Sequence, residues 1–516
     1  MNGFPWLTVL GAVPLIGALV VACLPRGRDL LAKQVALGVS LVVFALALVM
    51  ASRFKSGAAA QFQFVEHHPW ISSFGVSYSV GVDGIALVLI AMATILVPIV
   101  ILAGWHEADD NHGQVKTFFA LVLALETMII GVFAATDVFL FYVFFEAMLI
   151  PVYFMIGSFG GAQRSYAAVK FLLYSLFGGL LMLAALIGLY VVSARQIGTG
   201  TFEYSQLLGL HISPSTQKWL FLGFFAAFAI KAPLWPFHTW LPDAAAESTP
   251  GTAVLLVGVL DKVGTFGMIR LCLPLFPGAS KYFTPVILVL AVVGILYGAL
   301  VAIGQTDMMR LIAYTSLSHF GFITLGIFAM TSQGQSGSTL YMVNHGFSTA
   351  GLFIVGGFLV SRRGSRLIAD YGGVQRVAPL LAGTFLVMGL ATLAMPGLSS
   401  FVSEFLVLVG TYTRYPAYAV LATLGIVLAA IYVLFWYQRV ATGPATDKVK
   451  GFADLCGREM LAIVPLVALI VALGFFPKPL LDVINPAVGR TLHQVGQTDP
   501  VPPVPASAPA LEGTVK

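Results

Sequence analysis

The sequence predicts an all-α membrane protein that crosses the bilayer many times. Of its 516 residues, 59% are hydrophobic and only 9% are charged, and the mean hydropathy is +0.93. A soluble domain does not need such an excess of apolar side chains. Apolar stretches of about 20 residues, the length that crosses ~30 Å of hydrocarbon, recur about fourteen times along the chain. We therefore expect about 14 transmembrane helices in a polytopic fold.

Basic residues are distributed unevenly between the loops that connect these helices. Loops after odd-numbered helices hold about twice as many Lys and Arg residues as loops after even-numbered helices. By the positive-inside rule, this asymmetry predicts that both termini face outward. The net charge of +5 is thereby explained by membrane topology, and it indicates no nucleic-acid partner.

Motifs for metal or cofactor binding are missing from the sequence. Cys23, Cys272 and Cys456 lie far apart and form neither a metal-binding spacing nor a disulfide framework. His67 and His68 have no further ligands nearby and fit a solvated surface pair better than a metal site. The nearest glycine pattern, GVDGIA, opens an apolar helix and is not a phosphate-binding loop. We therefore expect no metal and no cofactor in this chain.

The first four helices contain few interior charges. Residues 61–84 are aromatic and polar, which predicts an outside loop with a short hairpin. Asp83 opens the third helix, where a carboxylate suits the positive end of the helix dipole, so it is interpreted as a cap. Glu126 lies inside the fourth helix without an obvious partner. A proton carrier and a locally satisfied side chain both stay open for it.

The fifth helix, TDVFLFYVFFEAMLIPVYFMIG, places Glu146 at mid-bilayer depth. Pro151 follows shortly and should bend the helix near that depth. A carboxylate in lipid surroundings has to be neutral or paired with a cation, and Lys231 is the natural partner. A pair that opens and closes would load and release a proton. A static ion pair that holds two helices in register is the alternative.

Lys231 lies in the seventh apolar stretch, just before the helix is interrupted. Pro233 and Pro236 remove backbone donors, which is tolerated at membrane depth only against protein or a water-filled cavity. His238 and Asp243 follow within the same motif. A buried charge beside a broken helix predicts an ion path through the protein. The alternative is a lysine that reaches to the membrane interface.

Three later helices each contain one basic or imidazole side chain among small and hydroxyl residues. Lys262 lies in the eighth helix, His319 in the tenth and His345 in the eleventh. Imidazole titrates nearest neutrality, so a proton relay is a plausible role, and His319 is favoured for it. His345 is the weaker candidate, because Asn344 and Ser348 offer it ordinary hydrogen bonding.

The twelfth apolar stretch repeats the pattern of the seventh. It breaks at Pro396 and Gly397, resumes, and contains Glu404 in its second half. Two interrupted membrane segments at matching places predict two inverted five-helix repeats, helices 4–8 and 9–13, with helices 7 and 12 broken. The predicted organisation is N-terminal helices 1–3 (1–110), first repeat (111–275), second repeat (276–440), helix 14 (441–480) and a disordered Pro/Ala-rich tail (481–516).

A run of motifs across most of the chain resembles a known family. FYVFFEAMLIP, FAIKAPLWPFHTWLPDAAAESTP, LDKVGTFGMIR, RLIAYTSLSHFGF, NHGFSTAGLF and AMPGLSSFVSEFLVL are similar to signatures of the antiporter-like subunits of respiratory complex I, the proton-pumping NADH:quinone oxidoreductase. The resemblance extends from about residue 80 to residue 478. Glu404 is similar to the glutamate that the M type of this family carries in its broken twelfth helix, whereas the L and N types usually have lysine there.

The resemblance implies roles for the buried charged residues. Glu146 and Lys231 would form the paired switch of the inward half-channel, and Lys262 would be the central connecting lysine. His319 would be a link on the central axis, and Glu404 the outward-side carboxylate. The remaining candidates for the pathway or its entrance are Glu126, His238, Asp243, Asp261 and His345. Asp261 departs from the family pattern, in which an apolar residue usually precedes the lysine.

The resemblance also implies partners and location. FMN, iron–sulfur clusters and the quinone site would belong to other subunits, and this chain would contact the L-, N- and K-type and small membrane subunits, lipids and protons. The protein would lie in the bacterial cell membrane. One alternative is a subunit of a multisubunit Na⁺/H⁺ antiporter, a class related to this family. Another is a structural bundle whose charges only hold the assembly together.

Overall fold

Helices form nearly all of the protein in the computed structural model, which describes residues 3–58, 60–109 and 114–501. Within these ranges, 12 helices are long and apolar enough to cross a membrane. The helical membrane fold predicted from the sequence is therefore confirmed. The helices of eight or more residues are α1 (Trp6–Cys23), α2 (Asp29–Arg53), α3 (Gly84–Ala103), α4 (Val115–Ala134), α5 (Val138–Phe159), α6 (Arg164–Ile197), α7 (Pro214–Lys231), α8 (Trp240–Glu247), α9 (Pro250–Leu275), α10 (Pro277–Ile303), α11 (Met308–Ala329), α12 (Ser332–Arg363), α13 (Pro379–Thr392), α14 (Ser399–Tyr412), α15 (Pro416–Ala441), α16 (Gly457–Phe475) and α17 (Lys478–Val495).

Two membrane segments are interrupted at the predicted places. Pro233 and Pro236 lie between α7 and α8, and Pro396 and Gly397 lie between α13 and α14. At the first interruption, the indole Nε1 of Trp240 donates to a carbonyl of the last turn of α7 at 2.9 Å. This bond satisfies one of the backbone acceptors that a helix end exposes. Counting each interrupted segment as one crossing would give the expected total, but that total and the inverted repeats stay predictions.

The hydrogen-bonding pattern is irregular inside α5 and α9. In α5, regular helix is interrupted at Met148, close to Pro151, which lacks a backbone donor. In α9, residues 254–260 and 268–272 form π-helical turns. Such turns are rare and often occur at functional sites. The first helix contains Glu146, which is partly buried, and the second contains the fully buried Asp261 and Lys262.

A two-stranded antiparallel hairpin, β1 (Gln63–Ile71) and β2 (Val76–Val82), fills the predicted outside loop. After it, Asp83 caps α3 by accepting from the backbone of Ala86 at 3.0 Å. Asp83 also pairs at 2.6 Å with Arg270. Arg270 lies buried inside α9, because the carboxylate of Asp83 compensates its charge.

Loops predicted to lie on one side of the membrane contact one another. The carboxylate of Glu107 accepts from the backbone of Gly251 at 2.8 Å, and Arg366 bonds to Glu247 at 2.9 Å. On the opposite face of the bundle, residues near the two ends of the chain make contacts. Arg53 contacts Trp6, Lys281 contacts Gly496, and Arg414 contacts Thr498. The described parts of the N- and C-terminal regions therefore lie on the same face, although which face points outward stays a prediction.

The predicted disordered tail begins too early. Residues 478–495 form α17, which packs against α3 and α12. Its buried side chains, Ile484, Val488, Leu492 and Val495 among them, recur every three or four residues, which is the spacing of an amphipathic helix. The prediction gave too much weight to the Pro/Ala-rich composition farther along, and residues 502–516 lie outside the described residues.

Three helices form the centre of the bundle. An apolar stretch of 18 residues in α9 is fully buried inside the protein, and 94% of the corresponding stretch is buried in α11 and in α12. In α1, α2 and α16, no more than 33% of the corresponding stretch is buried. Polar side chains on the three central helices are consequently shielded from lipid, and these helices position the candidate site.

Candidate functional site

Lys262 and His345 are in direct contact at the centre of the bundle. The ammonium nitrogen of Lys262 lies 2.8 Å from Nδ1 of His345 and donates to the carbonyl of Val257 at 2.6 Å. Both side chains are fully buried. His345, the weaker histidine candidate in the sequence, is thus the one that contacts the lysine, because α12 packs its polar face against the π-helical part of α9.

From His345, polar side chains continue to Glu404. The ring centroids of His345 and His319 lie 5.2 Å apart, and those of His319 and Tyr341 lie 5.7 Å apart. The Tyr341 hydroxyl donates to Oε2 of Glu404 at 3.0 Å. Nε2 of His319 also lies 3.4 Å from the hydroxyl of Tyr432. We call Lys262, His345, His319, Tyr341 and Glu404 the central line.

The second half of the broken segment, α14, is held beside the central line by α12. The amide nitrogen of Asn344 donates to the carbonyl of Ser399 at 2.6 Å and to the hydroxyl of Ser403 at 3.2 Å. Asn344 directly precedes His345, so one turn of α12 binds the start of α14 and also contributes to the line. Glu404, on α14, is only 5% exposed.

Glu146 and Lys231 are not joined by an ion pair within 4.0 Å in the described part of the chain. The Glu146 carboxylate lies against Gly179 of α6, where an added Cβ would overlap it. The Lys231 ammonium lies 5.3 Å from the ring centroid of Phe145 and 5.5 Å from that of Phe171. Among the described residues, this ammonium group has no hydrogen-bond partner. This geometry corresponds to the open form of the hypothesised switch.

Asp261 makes no hydrogen bond with its neighbour Lys262, whose ammonium group bonds elsewhere. It is fully buried, and neither carboxylate oxygen has a hydrogen-bond partner among the described residues. Its charge interacts with those of Lys231 and Lys262. Glu126 is also fully buried with both oxygens unpartnered, but no ion pair joins it to another described residue. Both of its open interpretations therefore stand.

His238 and Asp243 lie on the side of the membrane where α9 begins. Asp243 accepts from Lys170 and from Arg310, each at 2.7 Å, and so ties α8 to α6 and α11. Burial alone would raise the pKa of Asp243, but the hydrogen bonds and charges of these two cations outweigh it and lower the pKa. His238 is buried beside Tyr297, with ring centroids 5.1 Å apart. Asp243 is thus a three-helix clamp, and its predicted role at an entrance stays a prediction.

Sequence reasoning missed Tyr341, Tyr432 and Glu107. Tyr341 lies one helical turn before His345, and that spacing would have placed the two on one face. Tyr432 and Glu107 carry no comparable signal, since only packing brings them to the site. Glu107 lines a cavity of about 290 Å³ near the start of α9. Burial raises its pKa to about 7, against the lowering effect of its hydrogen bonds and of the Arg458 charge.

The described residues contain no group of three or more His, Cys, Asp or Glu side chains that could hold a metal ion. The polar groups of the central line come from four helices and follow one another across the bundle, so they do not converge on one point. This arrangement suits proton transfer between neighbouring groups better than the coordination of a single ligand.

Sequence comparison relates the chain to redox and antiporter membrane proteins. Residues 135–431 match the family described as NADH:quinone oxidoreductase/Mrp antiporter, TM. The chain is 56% identical to NADH-quinone oxidoreductase subunit M of Mycobacterium tuberculosis (strain ATCC 25618 / H37Rv), covering 99% of this chain and 98% of that protein. It is 39% identical to the protein of the same name from Rhodobacter capsulatus, covering 94% and 96%.

Two solved structures share the fold. A chain of respiratory complex I from Thermus thermophilus with bound NADH superposes with a TM-score of 0.86 at 33% identity, covering 95% of this chain and 100% of that chain. A chain of the Mrp complex from Dietzia sp. DQ12-45-1b superposes with a TM-score of 0.81 at 21% identity, covering 95% and 98%. The second likeness concerns the fold alone.

Proposed function

This chain belongs to the NADH:quinone oxidoreductase/Mrp antiporter transmembrane family, and from that premise we propose that it is a proton-translocating membrane subunit of NADH-quinone oxidoreductase, complex I. Its relatives from Mycobacterium tuberculosis and Rhodobacter capsulatus are both named as subunit M of that enzyme. In this proposal the chain moves protons and transfers no electrons. FMN, the iron–sulfur clusters and the quinone site belong to other subunits.

The observation that carries the proposal is the central line. Five polar side chains from four helices follow one another from Lys262 to Glu404, and each is at most 5% exposed. Burying an ionisable group in a membrane costs several kcal/mol unless it is compensated. Placing several buried ionisable groups in succession does not stabilise the packing of the helices. Hydrogen-bonded and closely spaced groups of this kind are what stepwise proton transfer requires.

The mechanism is electrostatic. Quinone reduction elsewhere in the complex disturbs the buried charges, and Glu146 moves relative to Lys231. The change in charge then passes to Lys262, whose proton affinity depends on the charges around it. The histidines and Tyr341 connect Lys262 to Glu404, from which a proton leaves on the outer side.

We also propose which molecules surround the chain and how it is oriented in the membrane. Its outer helices, which are largely exposed in the isolated chain, contact lipids and the neighbouring L-, N- and K-type and small membrane subunits. The protein lies in the bacterial cell membrane with both termini on the outer face. That orientation follows from the distribution of basic loop residues.

Replacement of the central lysine tests the proposed function. We expect Lys262→Ala to leave the complex assembled but to lower NADH:quinone turnover and proton pumping at least tenfold. Both are measured in membrane vesicles, with assembly checked on a native gel. Lys448→Ala, which removes a surface lysine whose side chain is 54% exposed, is the control and should behave like the native protein. Native turnover and pumping in Lys262→Ala would refute the proposal.

A further inference from the structure

Asp261 is a fully buried carboxylate that the central line does not include. Neither of its oxygens has a hydrogen-bond partner in the part of the chain that the structure describes, and its side chain is 0% exposed. A buried carboxylate without partners destabilises a fold, whereas an apolar side chain of similar size would pack there without that cost. Its position therefore needs an explanation beyond packing.

Asp261 lies on the face of α9 that packs against the end of α7. Gly264 lies one turn farther along α9, and a Cβ there would come within 2.6 Å of the backbone nitrogen of Ala232 and of the carbonyl oxygen of Phe228. This face of α9 thus touches the last turn of α7, which ends at Lys231. Residues three apart share a helix face, so Asp261 shares the face of Gly264.

Lys262 makes its hydrogen bonds with other groups. Its ammonium group is bonded to Val257 and to His345 on α12, whereas Lys231 has no hydrogen-bond partner in the described part of the chain. The charge of Asp261 interacts with both lysines. Asp261 therefore lies between the two halves of the site, in a gap that the protein's other described side chains do not bridge by hydrogen bonds.

We propose that Asp261 carries a proton between Lys231 and Lys262, an inference that rests on the proposed proton-translocating function. The ammonium group of Lys231 gives a proton to a carboxylate oxygen of Asp261 and becomes a neutral amine. Asp261, now a neutral carboxylic acid, gives that proton to the amine of Lys262, which becomes an ammonium group. Asp261 is then a carboxylate again. No oxidant or further reactant takes part.

The test compares Asp261→Asn, which cannot accept a proton, with Asp261→Glu, which can. In the assembled complex we expect Asp261→Asn to lower turnover and pumping at least tenfold and Asp261→Glu to retain most of both. Redox-triggered infrared difference spectra give an independent readout. The carbonyl band of a carboxylic acid should appear in the native complex, shift in Asp261→Glu and be absent in Asp261→Asn.

Each outcome decides the proposal. Native pumping by Asp261→Asn, together with a collapse in Lys262→Ala, would overturn the role of Asp261 and leave the proposed function intact. Native pumping by both Asp261→Asn and Lys262→Ala would overturn the proposed function itself. If Asp261→Asn does not assemble, Asp261→Glu decides, since an unshifted carboxylic acid band in that variant would contradict proton transfer through this residue.

Discussion

The contacts of the central line differ in kind. Lys262–His345 and Tyr341–Glu404 are hydrogen-bond contacts of 2.8 and 3.0 Å. The contact between His345 and His319 is between ring planes at 86° and centroids 5.2 Å apart. In the proposed pathway a proton would cross the first two contacts directly. The step from His345 to His319, and the step from His319 to Tyr341 with ring centroids 5.7 Å apart, would each require a ring rotation or a bridging water. The two steps at His319 are therefore where we expect the line to be gated.

The hydroxyl of Tyr341 offers a narrow test of the outward end. Tyr341→Phe keeps the buried ring but removes the donor to Glu404, which leaves a buried carboxylate without this bond. Losing a buried partner costs about 1–3 kcal/mol, a factor of about 5 to 150 in an equilibrium. We expect the variant to assemble and to pump about tenfold more slowly. Pumping by inverted vesicles measures this.

The control for that variant is Tyr282→Phe, whose ring is 60% exposed and lies under Lys218. It should pump like the native protein. Equal pumping by Tyr341→Phe and Tyr282→Phe would remove Tyr341 from the line.

Glu107 gives a prediction of pH dependence. Burial raises its pKa from about 4.5 to about 7, so between these values the folded protein holds a proton that the unfolded chain has lost. Stability therefore falls as the pH rises from about 4.5 to about 7 and loses nothing more from this group above that range. Glu107→Gln keeps an acceptor for Gly251 but cannot titrate.

The purified complex should accordingly show a thermal midpoint that declines across this pH range more steeply in the native protein than in Glu107→Gln. Thermal unfolding followed at several pH values measures the difference. Identical slopes for the two proteins would show that Glu107 does not titrate there.

At the scale of elements, α9 depends on close packing against α7. The Cβ of an alanine at position 264 would meet backbone atoms of α7 at 2.6 Å, and backbone cannot move aside as a flexible side chain can. Overpacking of this kind typically costs about 1–3 kcal/mol. We expect Gly264→Ala to lower the yield of assembled complex on a native gel and to lower its thermal midpoint.

Gly258→Ala on the same helix is the matched control. Its nearest neighbour would be the carbonyl of Gly346 at 3.5 Å, an ordinary contact. This variant should assemble normally. A Gly264→Ala complex as stable as Gly258→Ala would contradict the close approach of the two helices.

Local chemistry explains which elements were predictable from sequence. Apolar runs predict membrane helices because the bilayer demands about 20 apolar residues in each. The interruptions at Pro233 and Pro396 were predictable because proline lacks a backbone donor. The Asp83 cap followed from its place before an apolar run. In each of these cases the cause lies within a few residues of the effect.

Contacts between distant helices were not predictable in this way. The choice between His319 and His345 as neighbour of Lys262 depends on how α9, α11 and α12 pack. The pairing of Arg270 with Asp83 depends on how α9 packs beside the start of α3. The separation of Glu146 from Lys231 likewise depends on the space that Gly179 leaves on α6.

At the scale of the whole molecule, polar residues are concentrated on central helices and apolar residues face outward. At least 94% of the apolar stretch is buried in each of α9, α11 and α12. The bundle therefore shields a polar axis from the membrane. The same arrangement would give static ion pairs if the charges only joined helices. The unpartnered Lys231 and Asp261 do not fit that purely structural alternative, because static pairs would leave neither group unbonded.

The most direct test of the proposed mechanism is to measure NADH:quinone turnover and proton pumping separately in complexes that contain Lys231→Ala. Lys218→Ala, on the same helix but beside the exposed ring of Tyr282, is the matched control. With assembly verified on a native gel, we expect turnover and pumping both to collapse in Lys231→Ala and to stay native in Lys218→Ala. Native turnover and pumping in Lys231→Ala would show that the buried charge is structural and would contradict the proposed mechanism.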